Sequence, residues 1–128
     1  VGLETSDYAI SNSITEIKKN ITKVENYLHL SYENNSFDFV MGIGAIYTQN
    51  LNDAIKSLKE IQRVGKGKSF VNLASYKNNE DYWLFKDWTL IGTIILKKEE
   101  WLEVLKHANY TGDYFFTNAE TLSLERKK

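Results

Sequence analysis

The chain has 128 residues, of which 42% are hydrophobic and 13% aromatic, a size that suits one globular domain burying roughly two-thirds of the surface of its unfolded chain. With 16 basic against 17 acidic residues its formal charge is −1, which leaves no field to steer nucleic acid or an anionic membrane. There is no cysteine, so disulfides, thiolate catalysis and thiolate metal sites are excluded, and no apolar run approaches the ~20 residues of a membrane span.

Val1 to Glu4 reads as a short strand. It starts at once, with valine in place of methionine, so the expectation is a chain that begins inside a larger protein. Thr5-Ser6-Asp7 offers capping side chains for a helix running through Tyr8, Ala9 and Ile10 towards Ile17, weakened by its serines and asparagines. Ile21 to Val24 is a second strand. Asn34-Asn35-Ser36 is a turn cluster, and Phe37 to Ile43 is an apolar run with one acid, short enough for a strand buried on both faces.

Asn50 opens a helix in which Leu51, Ala54, Ile55, Leu58 and Ile61 form one apolar stripe, with Asp53, Lys56, Lys59, Glu60 and Arg63 on the other side. That stripe must pack on a sheet. Gly65 and Gly67 stand where a helix C-cap and a tight turn want glycine, and Ser69 to Ala74 resumes strand character. A strand, helix, strand unit of this kind forms a right-handed crossover between parallel strands.

Asn78-Asn79-Glu80 begins an aromatic segment in which Tyr82, Trp83, Phe85 and Trp88 fill a core or interface, or roof an acceptor site. Leu90 to Leu96 reads as strand, Lys98 to Ala108 as a helix with Trp101, Leu102, Leu105 and Ala108 on one side. Tyr110-Thr111-Gly112-Asp113 turns into a final strand, Tyr114 to Thr117, expected antiparallel to the strand before it. The tail Glu125-Arg126-Lys127-Lys128 is expected to fray. His29 and His107 stand alone and make neither a metal site nor a catalytic pair. The N-terminus lacks the basic and apolar regions of a signal peptide, so the expected location is the cytoplasm.

The order of elements is that of an α/β protein, whose function sits at strand ends. Gly2-Leu3-Glu4-Thr5-Ser6-Asp7-Tyr8-Ala9-Ile10, Asn35-Ser36-Phe37-Asp38-Phe39-Val40 and Leu58-Lys59-Glu60-Ile61-Gln62-Arg63-Val64-Gly65-Lys66-Gly67 follow one another in that frame. Ser75 to Glu80, Glu99-Glu100-Trp101 and Gly112-Asp113-Tyr114 add shorter matches. Together these residues resemble the C-terminal two-thirds of a class I S-adenosylmethionine-dependent methyltransferase of the type-11 or type-12 small-molecule group. The resemblance implies one Rossmann-like domain over residues 1–128, its sheet mostly parallel with an antiparallel C-terminal strand. Strand one and its glycine-rich loop would precede Val1; neither Gly42-Ile43-Gly44 nor Gly65-Lys66-Gly67 has the spacing and context of that loop.

By the same resemblance Glu4 accepts hydrogen bonds from the cofactor's ribose hydroxyls, for which a carboxylate offers two oxygens. Asn26 and Tyr27 fall beside the adenine, and Gly44 follows the strand that borders the cofactor. Ala45, Tyr47 and Tyr76 are the candidates for the acceptor cleft. S-adenosylmethionine would be the cofactor, S-adenosylhomocysteine the product and a small molecule the methyl acceptor. Alignment for in-line displacement needs no nucleophilic residue from the protein, and no catalytic residue stands out.

Other readings stay open. Glu4 also suits an ordinary solvated acid near a helix start, and Asn26 a loop asparagine making a local turn. The chain also fits a truncated, inactive association module, or a nicotinamide-binding Rossmann domain, in which an acid ending strand two likewise binds ribose. With strand one absent the sheet would show two bare edges, so the chain is expected to form a homodimer, swap elements or close its sheet directly.

Overall fold

A computed structural model describes residues 1–126, and Lys127 and Lys128 of the expected frayed tail lie outside them. The chain is α/β. The strands are β1 (Gly2–Glu4), β2 (Ile21–Lys23), β3 (Val40–Gly42), β4 (Ser69–Ala74) and β5 (Asp113–Thr117). The helices are α1 (Asp7–Ser11), α2 (Thr15–Lys18), α3 (Leu51–Val64), α4 (Asn79–Trp88) and α5 (Lys98–His107). β1 and β2 form a two-stranded parallel sheet, and β3, β4 and β5, in that order, form a three-stranded one. Among the described residues no helix is long and apolar enough to cross a membrane.

The first helix starts where the sequence places it, with Ser6 Oγ accepting the Ala9 N–H at 3.2 Å. It does not continue to Ile17. Ser13 Oγ donates to the Ala9 carbonyl at 2.8 Å, the acceptor that the Ser13 N–H would use in a longer helix, while the Tyr8 carbonyl takes both the N–H and Nδ2 of Asn12. The chain breaks there and restarts as α2.

In α3 the Asn50 side chain caps the Asp53 N–H at 3.0 Å, and Ala54, Leu58, Ile61 and Val64 turn into the core. Gly65 ends the helix in extended backbone, where a Cβ would stand 3.1 Å from the Ile61 carbonyl and 3.2 Å from Val40 Cγ2. The glycine is needed there for close approach, whereas Gly67, at φ +73°, is needed for its conformation.

Because β3, β4 and β5 lie in sequence order, right-handed crossovers carry α3 and α5 to the same face, where the two helices touch. The core forms from Leu58, Ile61, Val71, Leu73, Trp101 and Leu105 of these helices and the sheet, together with Phe85 of α4 and Tyr47. Full burial of side chains such as Leu58, Leu73 and Phe85 contributes about 2 kcal/mol each. Leu102, expected on the packed side of α5, is instead exposed.

Three expectations about the sheet are corrected. The C-terminal strand is parallel to β4, with Phe70 opposite Asp113 and Ala74 opposite Thr117. Leu90 to Leu96 is not a strand: only Leu96 bridges to Ser75, and the chain then enters α5, which returns it to the starting end of the sheet. A crossover of that kind delivers a parallel strand. Lastly, Phe37 to Ile43 is not buried on both faces. Phe37 only bridges to Gly65, β3 proper has three residues, and Phe39, Met41 and Ile43 are 54%, 65% and 59% exposed. Both crossover helices cover the Val40 and Gly42 side; on the opposite face Met41 and Phe115 are exposed, while Ala74 and Thr117 are buried.

Candidate functional site

The two sheets border a cleft of about 560 Å³. Val1 to Thr5 form one wall and Phe39 to Ala45 the other, with Tyr27, Leu30 and Tyr32 contributed by the connection between β2 and β3. Ile61 and Val64 of α3 and the exposed Ile91 complete the lining.

Glu4 closes β1, and Oε1 accepts the backbone N–H groups of both Thr5 and Ser6 at 2.8 Å. This fixes the carboxylate against the chain that follows it. Oε2 makes no hydrogen bond among the described residues.

Gly44 follows β3 with φ +66°, and a Cβ built there meets nothing within 4 Å, so the glycine serves backbone conformation and leaves open space beside it. Its N–H donates to Asn72 Oδ1 at 2.7 Å, while Asn72 Nδ2 donates to Thr117 Oγ1 at 3.2 Å. One amide in β4 therefore ties the turn after β3 to the end of β5. Further along, Gln49 Nε2 donates to the Ala45 carbonyl at 2.9 Å, and Gln49 Oε1 accepts from Ser57 Oγ at 3.0 Å. The segment from Gly44 to Gln49 is thus held to both the sheet and α3.

The wall from Leu30 to Asn34 is held by charge. Arg63 grips both carboxylate oxygens of Glu60 at 2.8 Å, and its remaining N–H groups reach the carbonyls of Tyr32 at 2.7 Å and Leu30 at 2.9 Å. Glu60 Oε2 also accepts the Leu30 N–H at 2.6 Å. Hydrogen bonding from Arg63 holds the Glu60 carboxyl below its ordinary range against the opposing effect of burial, helped by the Leu30 amide. Glu60 was expected on the solvent side of its helix. It is buried, because the segment after β2 folds over that side.

Of the residues singled out by resemblance, Glu4, Tyr27, Gly44 and Ala45 all line the cleft. Asn26 does not: its Oδ1 accepts the Leu28 N–H at 2.9 Å, making a local turn. Tyr47 lies in the core, its ring edge-on to Phe85 with centroids 6.1 Å apart and its carbonyl bonded to Thr93 and Ile94. Tyr76 packs edge-on against Tyr82 at 5.3 Å, away from the cleft. The aromatic helix divides, with Phe85 in the core and Trp83 and Trp88 about half exposed.

Sequence reasoning missed Asn72, Gln49 and the Glu60–Arg63 pair. For Asn72 the signal was present, since an amide inside the apolar run Phe70 to Ala74 needs a partner when the strand is covered. No protein-family model matches this chain, and no curated protein matches it.

Proposed function

We propose that this chain is the cofactor-binding part of an S-adenosylmethionine-dependent methyltransferase acting on a small-molecule acceptor. The observation that carries the reading is the placement of Glu4, at the carboxyl end of a parallel strand, on the same cleft as the Gly44 turn beyond β3. In α/β proteins ligands sit beyond the carboxyl ends of the strands. The free Glu4 oxygen suits a ribose hydroxyl, the open space at Gly44 lets a ligand approach backbone, and Tyr27 offers an aromatic surface to a base. When bound, S-adenosylmethionine would supply an activated methyl group. This chain's residues would hold and orient it against the acceptor, a task of alignment.

Titration of S-adenosylhomocysteine by calorimetry tests the proposal. The expected result is saturable binding at one site, weakened about tenfold or more by Glu4→Ala, as befits loss of a hydrogen bond to a charged group. Absence of heat, or binding indifferent to Glu4, would sink it. NADH in the same cell separates the nicotinamide-binding alternative.

A second reading, a non-catalytic module that associates with further copies of itself, is favoured by the sheet edges that are unpaired among the described residues, those of β1 and β3 included. Sedimentation over a range of concentrations tests it: a single monomeric species throughout would rule out the homo-oligomer.

A further inference from the structure

Tyr114 and Phe116 of β5 and Asn118 just beyond it stand at alternate positions, so their side chains leave the strand on one side. The rings of Tyr114 and Phe116 lie 5.4 Å apart, and the Lys98 ammonium of α5 sits over the Phe116 ring, 5.4 Å from its centroid. These four residues line an open depression of about 660 Å³, with Lys77 from beyond β4 and Glu120 and Thr121 from the turn after β5. None of them lines the cleft between the two sheets.

Asn118 is 3% exposed, and the surface it keeps opens on this depression. Its N–H donates to Thr121 Oγ1 at 2.9 Å, its carbonyl accepts from Thr121 Oγ1 at 3.0 Å and from the Leu122 N–H at 3.2 Å, and its Oδ1 accepts the Thr121 N–H at 2.9 Å. The last bond fixes which end of the amide is nitrogen. Nδ2 has no hydrogen-bond partner among the described residues, although it belongs to a side chain almost withdrawn from water. Such a donor is costly, and the turn does not require it, because aspartate or serine would accept the Thr121 N–H as well.

We propose that this depression binds a carboxylate with an aromatic or other apolar body. Asn118 Nδ2 donates to a carboxylate oxygen, Lys98 faces the charge, and the body lies along Tyr114 and Phe116. Charge selects the ligand. Lys77 is paired with Glu120, and the two cancel. Lys98 makes no ion pair among the described residues, which leaves one cation beside one neutral donor. A doubly charged phosphate monoester would exceed that single cation, and a neutral ligand would leave it unused. The ammonium rides on a flexible stem, so it can follow the ligand that the fixed amide orients. The exposed ring of Tyr114 and the half-buried ring of Phe116 give the apolar body a surface to cover.

The test is nitrogen–proton correlation NMR on the full chain, in which the Asn118 side-chain amide reports directly, with phenylacetate as the probe. The Asn118 Nδ2 resonances are expected to move saturably with phenylacetate and hardly at all with the neutral phenylacetamide. Lys98→Met, a change at an exposed position, should weaken binding about tenfold or more, as befits loss of a charged partner. Asn118→Asp keeps an acceptor for the Thr121 N–H but sets a like charge in place of the donor, so the Phe116 amide, which moves in the wild type, should stay still. A tripeptide of two alanines and a C-terminal phenylalanine separates the two sources of such a carboxylate: tighter binding than phenylacetate points to a chain terminus, weaker binding to a small acid, and either supports the site. No saturable movement with any carboxylate would show an amide that is merely hydrated and overturn the proposal. Equal movement with phenylacetamide, equal movement with inorganic phosphate, or binding indifferent to Lys98→Met would overturn it as well. S-adenosylhomocysteine is absent from this assay, so its outcome is independent of the cofactor reading.

Discussion

Asn72 holds the backbone N–H of Gly44 at 2.7 Å from a position 28 residues further along the chain, so the turn that leaves β3 is shaped by a side chain of β4. The turn needs φ +66° at Gly44 and offers free space where a Cβ would go. Substitution there should be costly through conformation and not through collision. Gly44→Ala is expected to destabilise by about 1–2 kcal/mol, Gly44→Asn by less and Gly44→Val by more, in the order of left-handed tolerance. Urea unfolding measures it; equal costs for Asn and Val would refute the conformational account. Asn72→Ala, which leaves the Gly44 amide without its acceptor, should cost about 1 kcal/mol by itself.

The Glu60–Arg63 pair predicts a specific acid dependence. The folded-state pKa of Glu60 lies below its ordinary value of 4.5, so the pair stabilises the fold fully above that value and the contribution fades as pH falls through the folded pKa. Glu60→Gln should lower stability at neutral pH by about 2–3 kcal/mol, because the half-buried Arg63 guanidinium and the Leu30 amide lose their charged acceptor. In a chain of this size that is a fall in Tm of roughly 6–15 °C. The gap between wild type and variant should narrow as pH falls below that ordinary value. A gap that stays constant down to acid would show that the cost is one of packing and not of charge. The exposed pairs Lys66–Asp38 and Lys77–Glu120 should show little comparable effect, since solvent screens them.

Local units of this fold were legible in the sequence and their assembly was not. The Asn50 cap, the apolar stripe of α3 and the run Ser69–Ala74 each carry their signal within a few residues, and each appears where its pattern placed it, save that Leu51 at the head of the stripe is exposed. The direction of β5 depends on α5 carrying the chain back to the starting end of the sheet, and Glu60 is buried by a segment 30 residues before it; no local pattern encodes either. Leu90 to Leu96 shows the limit of hydrophobicity as a strand signal. Ile94 and Ile95 are buried as expected of a strand, but the N–H groups of Thr93 and Ile94 are taken by the Tyr47 carbonyl, outside any ladder. In the site, Glu4 and Gly44 reached the cleft because strand ends could be placed. The tie through Asn72 spans two strands and could not.

Ser75 supplies a different kind of prediction. Its hydroxyl is buried and has no hydrogen-bond partner among the described residues, so removal should relieve a desolvated polar group while opening only a small gap. Ser75→Ala is expected to leave stability unchanged or raise it by up to about 1 kcal/mol. Thermal unfolding decides the matter: a loss of that size or more would mean that the hydroxyl is satisfied in solution.

Trp101 joins the helix layer to the sheet through one bond, its Nε1–H donating to the Ala74 carbonyl at 2.6 Å from a side chain with no exposed surface. Trp101→Phe removes the donor and part of the ring, leaving the Ala74 carbonyl with the Leu96 N–H at 3.2 Å beside a new void. The expected cost is about 2–4 kcal/mol, combining the lost hydrogen bond with the cavity. The other two tryptophans, Trp83 and Trp88, are about half exposed, so fluorescence offers a second readout. Acrylamide should quench wild-type emission in two components, one resistant, and the resistant component should vanish in Trp101→Phe while the protein remains folded. If it persists, burial belongs to one of the α4 tryptophans, and the packing of that helix against the core differs from the arrangement described above.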